Sequence, residues 1–295
     1  MDLGQLDYLK VLVLAENTAR PGTNFWGQHG ASFLLQAQRG SVKQAILVDV
    51  GQSPSVLRHN MDEFGIAPSE VDAVVITHCH YDHTGGIAAF LEKTGKENIP
   101  VVGHPDIFRL NFRTVPHLKC RGTDLKDQPS EIEKHGGRLF LTKDPLQLMP
   151  GLLTTGEVPR VVGVEQPEDT FFTIRQGRIE EDGLEDDVSV VANVQGRGLV
   201  VITGCSHAGI INIIRQAMEM FPGVPLDGVI GGFHLIKAAE ARIKRTVEEL
   251  VKFNPRFVSA GHCTGFKAQA ALWNGLQDKF VPLACGLEFV VSTQL

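Results

Sequence analysis

Four potential metal ligands fall within six positions of this sequence, in Thr77-His78-Cys79-His80-Tyr81-Asp82-His83-Thr84-Gly85-Gly86. They leave a short apolar, β-branched run, Ala73–Thr77, and precede a predicted helix from Gly86. Imidazole nitrogen and carboxylate oxygen suit borderline divalent metals at ~2.0–2.2 Å. A loop leaving a strand end aims alternate residues at one point, so His78 and His80 can share an ion. Asp82 and His83 lie one step on, within reach of a second ion ~3.5–4 Å away. A turn with incidental polar residues would not supply three histidines and an aspartate at this spacing. Three more histidines follow apolar runs: His207 after Leu199–Thr203, His234 after Gly228–Ile230, and His262 after Arg256–Ala260.

HxHxDH followed by TGG resembles the signature of the metallo-β-lactamase fold superfamily, and the resemblance covers most of the chain. It implies a four-layer αββα sandwich of α/β (α+β) class, with one or two metals at one edge of the sheets. Asp49, closing Ile46-Leu47-Val48-Asp49-Val50-Gly51, matches the first motif, whose aspartate supports the metal loop by hydrogen bonds. Cys205 stands where the superfamily commonly has the metal-bridging aspartate of a TGD segment; a thiolate can also bridge, or bind soft metals. The preceding strand begins Asp187-Val188-Ser189 and carries no third-motif histidine. His207 is the replacement, kept neutral by the dipole of the helix it is expected to open. His262 matches the last superfamily histidine, a ligand of the second metal. The resemblance thus implies His78, His80 and His207 around one ion, and Asp82, His83 and His262 around the other. His234 has no ligand counterpart and reads as a pocket or proton-shuttling residue, or as a satisfied core histidine. His29, before a predicted strand, could line the pocket but reads rather as a loop histidine. The segments GCSHAGIINI, GGFHL and AGHCTG resemble one subgroup, whose members are labelled metal-dependent hydrolases or 7,8-dihydropterin-6-methyl-4-(β-D-ribofuranosyl)aminobenzene-5′-phosphate synthases.

The expected activity is metal-assisted hydrolysis of an ester, thioester, amide or phosphoester bond in a small molecule. The ions would lower the pKa of bound water towards ~7, supply hydroxide and polarise the scissile oxygen. Asp82 would orient the nucleophile, and His234 or Tyr81 would steady a developing oxyanion. The subgroup implies an alternative: a metal-dependent transferase joining a pterin pyrophosphate to a phosphoribosyl aromatic. Arg109, Arg113, Lys119, Arg121 and Lys126 give their segment a basic bias, diluted by Asp106, Asp124 and Asp127. Arg113 and Arg121 are the candidate contacts to a phosphorylated substrate. A third class is an iron or thiol redox protein, because Cys79, Cys205 and Cys263 each lie within two residues of a candidate ligand. Zinc is the default metal from ligand type; manganese and iron stay open because of Cys205.

The elements that must position these residues follow from patterning over 295 residues, 43% hydrophobic. That length predicts a single domain over 1–295. Short valine- and isoleucine-rich runs read as strands: Val11–Ala15, Ser32–Gln36, Ala45–Val50, Ala73–Thr77, Val188–Val194, Leu199–Thr203, Gly228–Ile230, Arg256–Ala260 and Leu287–Val291. Helical patterns lie between them, from Ser53-Pro54 to Phe64, over His207–Phe221, and over Ala238–Phe253 with Ile243, Val247, Leu250 and Val251 on one face. Residues 105–140, rich in proline, read as an irregular insertion covering the site. The acidic cluster Glu180, Glu181, Asp182, Glu185, Asp186 and Asp187 reads as a solvated turn. A net charge of −6, two tryptophans, two tyrosines and no basic stripe argue against nucleic acid as a partner. No apolar run approaches the ~20 residues of a membrane span. The start carries no secretory signal pattern. Five cysteines, odd in number and without a CxxC pair, argue against a disulfide framework and for a reducing cytoplasm. The oligomeric state stays open.

Overall fold

The computed structural model describes residues 3–165 and 170–293. The β-branched runs assemble into two seven-stranded sheets. In spatial order the first holds Glu288–Ser292, Tyr8–Ala15, Ser32–Arg39, Val42–Val48, Ala73–Val75, Ile99–Gly103 and Gly137–Leu141. The second holds Phe280–Pro282, Phe257–Gly261, Leu226–Gly232, Gly198–Thr203, Ser189–Val194, Leu152–Thr154 and Gln147–Met149.

Period-two alternation along the strands decides the layering. Val11, Val13, Leu35, Val48 and Val75 of the first sheet pack against Val190, Ala192, Val200, Ile202 and Ile230 of the second. The alternate residues Leu12, Leu14, Leu34, Leu47, Val74 and Val101 face outward. They bury Leu57 and Met61 of helix Pro54–Glu63 and Ile87, Phe90 and Leu91 of helix Ile87–Thr94. On the second sheet Val191, Leu199, Val201, Val229 and Val258 pack against helices Ile210–Met220, Glu240–Phe253 and Phe266–Leu276. Three apolar layers between four layers of structure are the αββα sandwich that the motif implied.

Two local expectations change. Helix formation after Thr203 begins at Ile210, because Gly209 (φ 94°) turns the chain in a conformation that side chains disfavour. His207 therefore sits in the preceding loop and opens no helix. In Glu240–Phe253, Ile243 and Leu250 are buried, but Val251 is 48% exposed and falls off the apolar face.

The irregular segment also ends sooner than its prolines suggested. Gly137–Leu141 pairs parallel with Ile99–Gly103 as an edge strand of the first sheet. A separate four-stranded sheet holds Lys119–Cys120, Phe112–Arg113, Phe172–Arg175 and Arg178–Glu181. Strands Val42–Val48, Ala73–Val75, Gly198–Thr203, Leu226–Gly232 and Phe257–Gly261 run in parallel sets within their sheets. The loops leaving their C-terminal ends carry Asp49, His78–His83, Cys205–His207, His234 and His262, and a sandwich edge brings such loops together.

Candidate metal centre

The loop after Ala73–Val75 turns His78 and His80 toward each other, with His78 Nε2 3.1 Å from His80 Nδ1. His207 arrives from the other sheet, its ring centroid 4.8 Å from that of His78 and 4.9 Å from that of His80. The donor atoms of the three all lie within 4.8 Å of one another, and all three side chains are buried. The second predicted set also meets. His262 Nε2 lies 3.3 Å from His83 Nε2 and 3.4 Å from Asp82 Oδ2, and His83 Nε2 lies 3.8 Å from Asp82 Oδ2. Between the two sets sits Cys205, its Sγ 3.2 Å from His83 Nε2.

Hydrogen bonds from behind fix this cage. Asp49 is fully buried and its Oδ2 accepts from His83 Nδ1 at 2.7 Å, leaving Nε2 to face the centre. The same carboxylate accepts from Thr77 N at 2.8 Å and Thr77 Oγ1 at 2.7 Å, which ties down the start of the histidine loop. His262 is oriented by Asn17 Oδ1, 3.0 Å from its Nδ1. A Cβ at Gly204 would collide with Thr77 Oγ1 and stand 2.8 Å from Asp49 Oδ2, so only glycine fits there. Asp49 (φ 57°), Ser206 (φ 57°), His234 (φ 45°) and His262 (φ 52°) all occupy the left-handed region. Such strain costs of order 1–3 kcal/mol a residue and gathers where geometry matters more than stability.

Burial sets the charge state of the rings. It drives His78 and His207 well below the usual imidazole range, with neighbouring histidines adding to the effect. It takes His80 down to about 3 against a counter-pull from Asp82. Burial, not a helix dipole, keeps His207 neutral. At His83 burial opposes the charged ring, but the Asp49 carboxylate outweighs it and raises the group to about 9. Burial would raise Asp82; the hydrogen bond with His262 and the charges of His83 and His262 instead hold it well below the carboxylate range. Neutral, buried imidazoles want a partner, yet neither ring nitrogen of His207, nor His80 Nε2, has one among the described residues. Buried polar atoms are almost always paired. A divalent cation would pair them, so the donor set fits one.

Other predicted residues fall around this centre. His234 stands beside His207, ring centroids 4.2 Å apart. Tyr81 stacks under Arg121, whose guanidinium carbon is 4.9 Å from the ring centroid. Arg113 lies 4.4 Å over the ring of Phe171, and Phe171 packs 4.7 Å from His80. Of the remaining basic candidates, Arg109 is turned inward. It binds Asp182 at 2.6 Å and Asp186 at 2.7 Å, and is not available to a ligand. Lys119 and Lys126 are exposed.

Half of the acidic cluster is solvated as expected, with Glu180, Glu181 and Glu185 exposed, but its three aspartates are not. Asp182, Asp186 and Asp187 are 8%, 0% and 1% exposed. The first two hold Arg109, and Asp186 also accepts from Cys79 N at 2.7 Å. Asp187 accepts from Ala208 N at 2.9 Å, pinning the His207 loop. Burial pushes Asp187 up to about 7 from an ordinary value near 3.8. Its folded pKa is raised, so the stability it contributes is present below pH ~4 and is lost as pH climbs through 7. Metal-free Asp187→Asn should therefore gain ~1–3 kcal/mol over the native chain at pH 8 and lose that advantage at pH 4. Urea midpoints at the two pH values test it; an equal shift at both would refute it.

Sequence reasoning set His29 aside as a loop histidine, but its Nε2 lies 3.2 Å from Asp82 Oδ2 and its ring is 5.0 Å from that of His262. No spacing signal marks it, because its loop joins the site only through the tertiary fold. Cys79, grouped with the other cysteines on sequence proximity, packs with Phe171 and Leu184 and joins no metal-capable group among the described residues. Cys205 and Cys263 do face the centre. Cys263 is pulled down, against burial, by a hydrogen bond from Cys205 and by His262 and His234. Cys205 is pushed up by burial and by Cys263.

Comparison with known proteins agrees with this geometry. The family model described as metallo-beta-lactamase superfamily matches residues 27–262. The 7,8-dihydropterin-6-methyl-4-(β-D-ribofuranosyl)-aminobenzene-5′-phosphate synthase of Methanocaldococcus jannaschii is 36% identical over 97% of this chain and 98% of its own. The crystal structure of Tm1679, a metal-dependent hydrolase of the β-lactamase superfamily, superposes with a TM-score of 0.79 at 26% identity, covering 96% of this chain and 99% of that one. The fold is shared by YhfI from Bacillus subtilis at 15% identity, with a TM-score of 0.54 over 97% and 100% of the two chains. No helix among the described residues is long and apolar enough to cross a membrane. With the HxHxDH loop, the converging histidines and a match along nearly the whole sequence, the chain belongs to the metallo-β-lactamase superfamily, whose members' fold implies divalent-metal binding.

Proposed function

We propose that the chain is a metal-dependent enzyme acting on a small phosphorylated molecule, and that it is a transferase joining a pterin pyrophosphate to a phosphoribosyl aromatic. The observation that carries the phosphate is the pair of arginines beside the histidine cage. Arg121 stacks on Tyr81, next to His80 in the loop, and Arg113 on Phe171, which touches His80. Guanidinium groups bind phosphate oxygens bidentately, and aromatic stacking holds them flat for it. Arg121 Nε has no hydrogen-bond partner among the described residues. The 36% identity to a synthase, end to end, supports transfer over hydrolysis.

His78, His80 and His207 would hold one divalent ion, and Asp82, His83 and His262 a second; zinc suits these ligands. Such an ion supplies Lewis-acid polarisation of a substrate oxygen. The chain's own residues do the rest. Arg113 and Arg121 orient the phosphates. In the transfer, the carbon–oxygen bond to pyrophosphate breaks with its electron pair leaving on oxygen, a bond to the aromatic acceptor forms, and the acceptor gives up one proton. The departing pyrophosphate takes that proton.

Hydrolysis is the second reading, favoured by the likeness to Tm1679. Pyrophosphate release from a pterin pyrophosphate, with and without the aromatic acceptor, separates the two. Release that needs the acceptor supports the transferase; equal release without it supports the hydrolase. No release from this or other phosphorylated small molecules with metal bound refutes the reading. Arg121→Ala should raise KM for the phosphorylated substrate about 10- to 100-fold, the equivalent of one or two charge-assisted hydrogen bonds, with a smaller change in kcat. An unchanged KM would remove Arg121 from the phosphate site.

A further inference from the structure

Behind the histidine cage the same strand ends bring two sulfurs and another imidazole together. Cys205 follows Gly198–Thr203, His234 follows Leu226–Gly232, and Cys263 follows Phe257–Gly261. Their donor atoms all lie within 4.8 Å of one another, with both thiols buried and His234 partly so. Tetrahedral sites place sulfur ~2.3 Å and imidazole nitrogen ~2.0–2.1 Å from the ion, spacings that such a triangle accommodates. We propose that Cys205, Cys263 and His234 form a thiolate-rich site for a soft d10 metal ion such as zinc, separate from the three-histidine position and reached through the shared neighbour His83.

The loops are built to hold that geometry. Gly232 N donates to Gly204 O at 3.0 Å, Ser206 Oγ to Gly232 O at 2.6 Å, and Phe233 N to Thr264 Oγ1 at 3.0 Å. Ile236 N donates to Cys263 O at 3.0 Å, closing the third side. The strands ahead of these loops are adjacent in register, Thr203 beside Gly231 and Gly232 beside Gly261, so the three loops leave the sheet side by side. A Cβ on Gly232 would lie 2.6 Å from Cys263 Sγ, so glycine there makes room for the sulfur. His234 N donates to that sulfur at 3.3 Å, and Cys263 Sγ points to Cys205 O at 3.6 Å. Ligands fixed before the ion arrives bind it without reorganisation. Sulfur donors select zinc or copper(I) over magnesium, calcium or manganese, so this position differs in preference from the all-nitrogen one. Because the cysteines are 58 residues apart, no CxxC spacing announces them.

The proposal does not depend on the reaction catalysed. Metal-stripped full-length protein is titrated with cobalt(II), and the near-ultraviolet thiolate-to-cobalt charge-transfer band is measured. The expected band corresponds to two thiolates, falls to about half in Cys263→Ser and in Cys205→Ser, and is unchanged in Cys120→Ser. No band, or full intensity in Cys263→Ser, would overturn it, the latter assigning the sulfur to Cys205 on the histidine cage alone. Should a variant fail to fold, alkylation of native protein with and without cadmium gives the same answer by mass spectrometry. Cadmium should protect Cys205 and Cys263 together; protection of neither, or of Cys205 alone, would overturn the site, as would a Cys205–Cys263 disulfide in freshly purified, metal-replete protein.

Discussion

Protein carrying His80→Ala should emerge from a metal-replete preparation with the three-histidine position empty and with turnover at least 1,000-fold below native. His80 contributes one of three buried imidazoles whose donors lie within 4.8 Å of one another. Its substitution leaves two ligands, both of them buried, with His78 0% and His207 2% exposed. A lost ligand costs metal affinity first and activity as a consequence, because the ion supplies several kcal/mol of charge stabilisation. Folding should survive, since a smaller neutral side chain replaces a ring whose Nε2 is unpaired. Metal analysis beside circular dichroism and kinetics checks this. Native activity with stoichiometric metal in the folded variant would refute the assignment of His80.

Asp49→Ala should instead damage the fold. The carboxylate is 0% exposed and accepts three hydrogen bonds, from Thr77 N, Thr77 Oγ1 and His83 Nδ1. In metal-free protein alanine leaves all three donors buried without partners, including a ring whose charged form this very carboxylate favours. Breaking a buried ion pair by removing one member costs ~3–5 kcal/mol. The denaturant midpoint should fall accordingly at unchanged m-value. Asp49→Asn keeps the shape and part of the bonding, so its stability loss should be smaller. Its metal affinity should still drop about 10- to 100-fold, as for other residues that orient ligands from behind. If Asp49→Ala unfolds at the native midpoint, the carboxylate is not what holds the histidine loop.

The centre of the site was legible in the sequence because its chemistry is local. His78 and His80 leave a strand end on one short loop and Asp82 and His83 follow at once in the helical turn Tyr81–Thr84, so near-neighbour spacing keeps all four in one region. Asp49 and His262 were legible through motif resemblance, and His207 as the replacement for a third-motif histidine that the sequence lacks. His29 and Asn17 were not, because they lie on a loop with no pattern and reach the site only when Tyr8–Ala15 and Ser32–Arg39 pair. The same limit misled the reading of charge. By sequence alone Asp182 and Asp186 look like part of a solvated turn, whereas they and Arg109 cancel one another's burial cost. Gly209 misled the helix boundary, since periodicity cannot see a single φ of 94°.

What the sequence determined by itself is therefore the layered α/β fold and the metal-binding loop, both set by periodicity and near-neighbour spacing. The tertiary structure alone decided which distant groups meet. It set Cys205 beside His83, His234 and Cys263, and stacked Arg113 on Phe171 and Arg121 on Tyr81 while turning Arg109 inward. Those choices depend on which strand ends lie side by side and on which charges find partners away from water. They are properties of the assembled sheets, and the linear order of residues does not carry them.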